Sequence, residues 1–339
     1  MSHIIALTFE DGVTRFVTTR PDETVADASY RMGINIPLDC RDGACGTCRC
    51  RVESGFFDPG SYIEDALTEE EAAQGFALAC QMKPRTDLAL TIAASSSVCK
   101  TRIAEYRAVV EAVEELSPTT IGLRLRTEEP VAFLPGQYVN LDVPGSGQRR
   151  SYSFSSAPGA ETATFLVRRI PGGVMTTFLT EGARPGTPVS FTGPVGSFYL
   201  RAVRRPVLML AGGTGLAPLL AMLEHLAATG SDVPVRLVYG VTHDADLVET
   251  ERLGALAARL PGFTFATCVA DEASAHPRKG YVTAHLGPEH LNGGDVDVYL
   301  CGPPAMVEAV RADFAARGVV PASFHYEKFS PSGLVREAA

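Results

Sequence analysis

Residues 40–48 read Cys-Arg-Asp-Gly-Ala-Cys-Gly-Thr-Cys, and a further cysteine, Cys80, follows 32 positions after Cys48. This is the C-x4-C-x2-C spacing of plant-type ferredoxins, in which a short loop and one distant cysteine together hold two irons. Gly43 and Gly46 allow a tight loop whose backbone N–H groups point at the sulfurs. The spacing therefore predicts a [2Fe-2S] cluster on Cys40, Cys45, Cys48 and Cys80.

Zinc is the competing metal for four thiolates, but structural zinc usually lies between two C-x2-C pairs, and this chain has one such pair. A purely structural role is the third interpretation. Cys50 lies off the ligand spacing and is expected to pack beneath the loop, and Cys99 and Cys268 are predicted to be ordinary buried thiols. We see no export signal at the N-terminus, so we do not expect a disulfide framework.

The net charge of −9 is unevenly distributed over the 339 residues. Residues 1–97 contain 8 Lys and Arg against 15 Asp and Glu, whereas the remaining residues contain 22 against 24. An acidic module on a nearly neutral body argues against nucleic-acid binding and favours a partner with a basic surface. The alternative interpretation is a solvated acidic face.

The apolar runs 206–211 and 216–223 are interrupted by Gly and Pro well short of a membrane span. Together with the absence of a basic and apolar leader after Met1, this predicts a cytoplasmic protein without membrane attachment. We also expect it to be monomeric.

The hydrophobic pattern changes twice along the chain, which predicts three domains: residues 1–97, 98–203 and 204–339. The small, polar residues 93–97 look like a linker. In the first domain, alternation and capping predict strands 3–9, 13–18 and 88–92 and a helix over 24–32. Short β-rich runs between turns predict an antiparallel barrel in the second: 106–113, 120–126, 137–143, 150–154, 163–169 and 188–191. Strands 207–211, 235–239, 263–269 and 296–301, alternating with helices 217–228, 249–259 and 305–317, predict a parallel sheet in the third.

The middle domain contains a candidate flavin site at Arg150-Ser151-Tyr152-Ser153. Alternation along a strand points Arg150 and Tyr152 the same way, so that one can pair with a pyrophosphate while the other stacks on a flat ring. An ordinary strand with a surface Arg and a half-buried Tyr is the alternative. The glycine turn at 171–176, which opens a helix and ends in a hydroxyl, adds a phosphate site, and a second tight loop follows at 193–198.

The third domain contains a candidate nicotinamide-nucleotide site. A buried strand runs into Gly212-Gly213-Thr214-Gly215 and then a helix, which is a phosphate-binding arrangement. Cys301-Gly302-Pro303-Pro304 follows another strand, at the edge where open α/β sheets bind ligands. The segment 240–246 contains two acids and no Arg or Lys, which favours NADH over NADPH unless Arg252 or Arg278 reaches it.

In this order the domains resemble the ferredoxin–NAD(P) reductase relatives that serve aromatic-ring oxygenases. The resemblance covers almost the whole chain and is greatest to the benzoate 1,2-dioxygenase branch. The runs that support it are 39–41, 62–67, 150–156, 197–200 and 326–329. It implies a β-grasp ferredoxin domain (α+β), an antiparallel β-barrel FAD domain and an α/β NAD domain.

The resemblance also implies roles for individual residues. The reacting centre would be bordered by Ser153, Cys301 and Phe329. FAD would contact Arg150, Tyr152, Ser153, Val167, Arg168, Gly173, Met175, Thr176 and Phe329. NADH would contact Gly213, Thr214, Cys301, Gly302 and Pro303. Thr176 stands where the family often has Ser, and the hydroxyl is kept.

We therefore expect an NADH-dependent oxidoreductase that sends electrons through FAD and a [2Fe-2S] cluster to the Rieske-type terminal oxygenase of a benzoate dioxygenase. Oxygen chemistry is expected elsewhere, because the sequence shows neither paired Rieske histidines nor a mononuclear iron triad. One alternative is the same reductase serving an oxygenase for anthranilate, a substituted benzoate or a phenol. The others are a redox-sensing or structural protein without turnover and a flavoprotein that reacts directly with oxygen.

Overall fold

The computed structural model describes residues 2–38, 40–100 and 104–329, which form two compact units. The first contains the N-terminal residues as far as Lys100 together with 195–197, and the second contains 104–194 and 198–329. Asp39 of the first resemblance run and the residues after Phe329 lie outside the described ranges. None of the helices in the described ranges has both the length and the apolar composition to cross a bilayer.

The first unit is a mixed five-stranded sheet in the order β2-β1-β7-β3-β5, with a two-stranded sheet of β4 and β6 beside it. Its elements are β1 (Ile4–Phe9), β2 (Thr14–Thr18), α1 (Val25–Arg31), β3 (Arg49–Ser54), β4 (Phe57–Asp58), α2 (Glu69–Ala73), β5 (Phe76–Leu78), β6 (Lys83–Pro84) and β7 (Leu88–Ile92). The Thr24 hydroxyl accepts the N–H of Asp27 at 3.2 Å and so caps α1; of the two candidate caps in the sequence, Asp22 and Thr24, it is Thr24 that caps the helix. The predicted α+β ferredoxin fold is confirmed.

The segment 93–97, predicted as a linker, instead packs onto the first unit. Ala94 is fully buried, and the Ser96 hydroxyl donates to the carboxylate of Asp11 at 2.7 Å. Cys99 is also part of this unit's apolar core. The small, polar residues that resemble a linker therefore form a turn that is hydrogen-bonded to Asp11, far away in the sequence.

The second unit begins with a six-stranded sheet in the order β11-β10-β13-β8-β9-β12. Its elements are β8 (Ala104–Ser117), β9 (Thr120–Thr127), β10 (Tyr138–Val143), β11 (Gln148–Ser153), β12 (Thr162–Arg168), α3 (Val174–Thr177) and β13 (Pro188–Val195). A bridge between Phe154 and Phe165 brings the two edges together, and these buried rings lie 5.3 Å apart. The sheet therefore curls into the predicted antiparallel barrel.

A parallel sheet in the order β16-β15-β14-β17-β18 completes the second unit. Its elements are β14 (Val207–Gly212), α4 (Leu216–Thr229), β15 (Val235–Val241), α5 (Thr250–Arg259), β16 (Phe263–Val269), α6 (Pro288–Leu291), β17 (Asp297–Gly302), α7 (Pro304–Ala316) and β18 (Ser323–Lys328). The strand order reverses between β14 and β17, so the ligand crevice of this sheet lies at their carboxyl ends. The predicted α/β domain is confirmed, while β18 was not predicted.

Candidate functional site

The four cysteines of the predicted cluster lie together in the first unit, where the loop 40–48 meets the residues after β5. The thiols act on one another's pKa values as neighbours, in the order Cys45, Cys40, Cys80 and Cys48. Backbone N–H groups also reach the sulfurs: that of Ala44 lies 3.3 Å from Cys40 Sγ, and that of Cys80 lies 3.4 Å from Cys48 Sγ. Such donors stabilise negative charge on sulfur.

Two glycines permit this loop geometry. Gly43 and Gly46 have φ of +83° and +73°, a region that side chains rarely adopt. A Cβ on Gly43 would overlap the Ser61 carbonyl, and one on Gly46 would lie 2.7 Å from the Ala66 carbonyl oxygen. The loop is therefore pressed against the segment 61–66, as the glycines in the motif indicate.

The thiol set fits a metal cluster because its members cannot all ionise unaided. Hydrogen bonds from Cys45 and Cys80 lower the pKa of Cys40, while the adjacent Cys40 sulfur raises the pKa of Cys45. Likewise, the pKa of Cys48 is lowered by its contact with Cys80. Four thiolates at such close range need cationic charge between them, which two irons supply.

Three further thiols of the chain lie outside this set of four. Cys50 is buried on β3, where its Sγ lies 3.5 Å from the Ala77 carbonyl oxygen, and burial raises its pKa. Cys99 and Cys268 are also buried, and desolvation raises the pKa of both, of Cys268 to about 11. These three cysteines lie in apolar cores.

The candidate flavin strand is β11, which pairs with β10. Arg150 and Tyr152 are half-buried while Ser151 between them is exposed, so the two side chains share a face. The Arg150 guanidinium donates to the Gln148 side chain and to the Arg149 carbonyl, both at 2.7 Å. Burial raises the pKa of Tyr152, so its phenol stays neutral.

The remaining predicted flavin residues lie on β12 and in the turn after it. Val167 is buried and Arg168 is exposed at the end of β12. Gly173 directly precedes α3, in which Met175 and Thr176 are buried. The Ile170 N–H donates to the Thr176 hydroxyl at 2.9 Å, so this side chain closes the glycine turn. That FAD phosphates bind here stays a prediction.

The predicted nucleotide turn lies between β14 and α4 at the crevice. Gly213 and Thr214 form a tight turn with Gly215 before the helix begins at Leu216. A Cβ on Gly215 would overlap the Cys301 carbonyl and lie 2.9 Å from the Gly302 nitrogen. The absence of a side chain at Gly215 therefore lets the turn after β14 pack closely against the carboxyl end of β17.

Five residues from the barrel and the parallel sheet converge beside this turn. Cys301 is fully buried on β17, in register with Ala211 on one side and Glu327 on the other. The Ser153 hydroxyl lies 3.3 Å from Glu327 Oε2, and the Phe329 N–H donates to the Gly302 carbonyl at 2.8 Å. Burial, with the nearby Glu327 carboxylate, raises the pKa of Cys301 well above its usual value, which keeps it a neutral thiol.

The structure thus brings Ser153, Cys301, Gly302 and Phe329 to one place, with Pro303 exposed at the start of α7. Sequence reasoning gave no role to Glu327, although it lies in the run 326–329. The missing signal was strand β18, which sets Glu327 beside Cys301.

Acidic side chains dominate the segment after β15, as predicted. His243 Nδ1 lies 3.2 Å from Asp271 Oδ2, so the one candidate cation in the segment is already paired. The Arg252 guanidinium, weighed from the sequence as a phosphate ligand, instead contacts Glu224 at 3.0 Å and donates to the Ser155 carbonyl at 2.6 Å. The engagement of Arg252 fits a ribose without a 2′-phosphate, while Arg278, the other arginine weighed, is exposed.

Three family models match the chain in the order predicted from the motifs. A 2Fe-2S iron-sulfur cluster binding domain matches residues 8–85, an oxidoreductase FAD-binding domain matches 107–199, and an oxidoreductase NAD-binding domain matches 209–312. The predicted cofactors, a [2Fe-2S] cluster, FAD and NAD, are therefore confirmed at the level of the domains.

Similar proteins cover nearly the whole chain. It is 56% identical over 335 residues to the toluate 1,2-dioxygenase electron transfer component of Pseudomonas putida, covering 98% of this chain and 100% of that protein. It is 50% identical to the 2-halobenzoate 1,2-dioxygenase electron transfer component of Burkholderia cepacia, covering 98% and 99%. Among solved structures, an Amycolatopsis cytochrome P450 reductase aligns with a TM-score of 0.74 and 37% identity, covering 96% and 99%.

Proposed function

Because the chain belongs to the electron transfer components of aromatic-ring dioxygenases, which are NADH-dependent oxidoreductases, we propose that it supplies electrons to the terminal oxygenase of a benzoate 1,2-dioxygenase. The observation that carries the proposal is that one chain contains all three cofactor domains and matches a toluate dioxygenase component over nearly its whole length. The domain boundaries 1–97, 98–203 and 204–339 remain our proposal, and the three matched ranges fall inside them.

The residues divide the work between three sites. Cys40, Cys45, Cys48 and Cys80 would hold the cluster, and Arg150, Tyr152, Val167, Arg168, Gly173, Met175 and Thr176 would hold FAD. Gly213, Thr214, Gly302 and Pro303 would hold the nucleotide. When bound, FAD takes a hydride from NADH and the cluster carries single electrons onward; the protein orients and tunes these groups.

The convergence of Ser153, Cys301 and Glu327 defines where the hydride would pass. The Ser153 hydroxyl, held by Glu327, would hydrogen-bond the edge of the flavin ring. The neutral Cys301 thiol would lie beside the nicotinamide without placing a negative charge there. Phe329, tied to Gly302 through its N–H, would cover the flavin and keep water out. The arrangement requires no general acid or base.

A ring-substituted benzoate is the second candidate for the oxygenase substrate. The 56% and 50% identities to toluate and 2-halobenzoate components favour it over anthranilate or a phenol. Because the reductase does not need to contact the aromatic acid, the choice depends on which oxygenase its cluster-bearing unit recognises.

The test is reconstitution with purified terminal oxygenases for benzoate, toluate, 2-halobenzoate and anthranilate, following product formation under NADH. We expect the highest kcat/KM for the benzoate oxygenase. A clear preference for the toluate oxygenase would replace benzoate by the second candidate. Rapid NADH oxidation without product from any of the four would contradict the role in these systems.

A further inference from the structure

The Arg252 guanidinium is one of the contacts that link the barrel to the parallel sheet of the second unit. Arg252 of α5 donates from Nη2 to the Ser155 carbonyl at 2.6 Å. Ser155 is fully buried and lies two residues after Ser153, just beyond the end of β11. The contact therefore attaches α5 directly to the end of the candidate flavin strand.

Two carboxylates fix the direction of that guanidinium. Arg252 Nε lies 3.0 Å from Glu224 Oε1 on α4, and Nη1 lies 3.6 Å from Glu249 Oε2. The Glu224 side chain is 16% exposed and that of Arg252 is 27% exposed, so water screens the pair only in part. Carboxylates on one side and a carbonyl on the other hold this planar guanidinium in one orientation.

The backbone next to this contact is strained. Glu249, which directly precedes α5, has φ of +62°, a left-handed conformation unfavourable for a residue with a Cβ. Its carbonyl accepts the N–H of Leu253 at 2.9 Å and so opens the helix. Such strain persists where the surroundings over-determine it, and it clusters near functional sites.

The same strip of chain touches the barrel at a second point. Thr119, in the turn between β8 and β9, donates its hydroxyl to Asp246 Oδ1 at 2.6 Å. Barrel residues Leu116 and Leu166 also pack into the apolar core that contains Val248. The segment 246–252 therefore faces the barrel, with Arg252 as its charged anchor.

We propose that Arg252 is a positioning residue for hydride transfer, setting the nucleotide-binding turn relative to the flavin strand. It links Ser155, beyond Ser153, to Glu224 on α4, the helix that begins directly after Gly213–Gly215. Hydride transfer needs its donor and acceptor within a narrow distance range, and a shift of about 1 Å can cost about 100-fold in rate. The inference rests on the proposed function, in that it takes Ser153 as a flavin contact and Gly213–Gly215 as the nucleotide turn.

The test is anaerobic stopped-flow reduction of the bound flavin by NADH in Arg252→Gln and Arg252→Lys. We expect the limiting rate to fall about 10- to 100-fold in Arg252→Gln, with the NADH dissociation constant and the FAD content within twofold of wild type. Arg252→Lys keeps the charge but loses the fork, so an intermediate rate is expected. A deuterium isotope effect with 4-deuterated NADH identifies the slowed step as the hydride transfer.

Arg259→Gln is the matched control. Arg259 also pairs with Glu224, with 3.1 Å between Nη1 and Oε2, and its side chain is 53% exposed. We expect the limiting rate of flavin reduction in Arg259→Gln to equal that of wild type. Limiting rates within twofold of wild type in both Arg252 variants, or an equal loss in Arg259→Gln, would overturn the proposal. If Arg252→Gln does not fold, the limiting rate of flavin reduction in Arg252→Lys alone tests the proposal. A wild-type protein that NADH fails to reduce would overturn the proposed function and this inference with it.

Discussion

Cys80 and Cys50 are both buried cysteines of the first unit, but only Cys80 lies in the row of four thiols. We expect Cys80→Ser to abolish the iron-sulfur absorbance and the signal of the reduced cluster, while NADH still reduces the flavin. Cys50→Ala should keep the cluster, because the Cys50 thiol contacts the Ala77 carbonyl on β5 and lies off the ligand spacing. Iron and sulfide analysis with optical spectra measures both, and an intact cluster in Cys80→Ser would refute the ligand assignment.

Cys301 and Cys268 form a second matched pair, since both are fully buried on strands of the parallel sheet. Only Cys301 lies beside Glu327 and the turn 212–215. Cys301→Ala should slow flavin reduction by NADH about tenfold or more, because the nicotinamide loses a packing surface at the reacting centre. Cys268→Ala should leave that rate unchanged in the same stopped-flow assay. Equal rates of flavin reduction in the two variants would refute the placement of Cys301 beside the nicotinamide.

Most of the residues predicted from the sequence belong to short motifs, whereas Glu327 and the role of Arg252 were missed because they depend on contacts with distant residues. The C-x4-C-x2-C spacing, the Arg150–Ser153 run and the glycine turn 212–215 are local patterns. Each indicates its ligand from a few neighbouring residues. Glu327 and Arg252 acquire their roles only through contacts with Ser153 and Ser155, which come from another domain. No local pattern distinguishes them from ordinary surface charges.

At the level of elements, the turn between β14 and α4 depends on close approach to β17. Gly215→Ala should weaken NADH binding about tenfold or more and lower the free energy of unfolding by about 1–3 kcal/mol, because the added methyl overlaps the Cys301 carbonyl. Titration with NADH and denaturant unfolding measure the two effects.

Gly254→Ala is the control for that substitution. Gly254 is exposed inside α5 and a Cβ there would meet no atom within 4 Å. Alanine should therefore raise the free energy of unfolding by about 0.5–1 kcal/mol and leave NADH binding unchanged. Unchanged NADH binding in Gly215→Ala would show that the turn tolerates a side chain.

The strand and helix predictions were correct where apolar and polar residues clearly alternate or where a capping residue is present. β7 and β16 match their predicted bounds, and Thr24 caps α1 as expected. β18 was missed although Phe324 and Tyr326 alternate with polar residues along Ser323–Lys328. The linker prediction at 93–97 failed because composition does not show the hydrogen bonds to Asp11.

For the whole molecule, the uneven charge predicts how the partner is recognised. The first 97 residues carry a net charge of −7, so association with a basic oxygenase surface should weaken with salt. Coupled turnover should fall severalfold between about 0.05 M and about 0.5 M ionic strength. Reduction of a small neutral acceptor by NADH serves as the control and should change little. Salt-independent coupled turnover would contradict electrostatic docking.

The order of the three domains was predictable from motifs alone, because each cofactor leaves a local signature. The aromatic substrate was not, because the proposed reductase role requires no residue of this chain to contact it. The relatives that match over nearly the whole chain are named for toluate, 2-halobenzoate and anthranilate dioxygenases, so they show the family and not the aromatic acid.

The central claim, that electrons pass from NADH through FAD to a [2Fe-2S] cluster in this one chain, is tested most directly by anaerobic titration of the purified protein with NADH. We predict bleaching of a combined flavin and cluster spectrum, with the electron paramagnetic resonance signal of a reduced [2Fe-2S] centre. A colourless, zinc-containing protein from anaerobic preparation, or a flavin that bleaches while the cluster stays oxidised, would contradict the account.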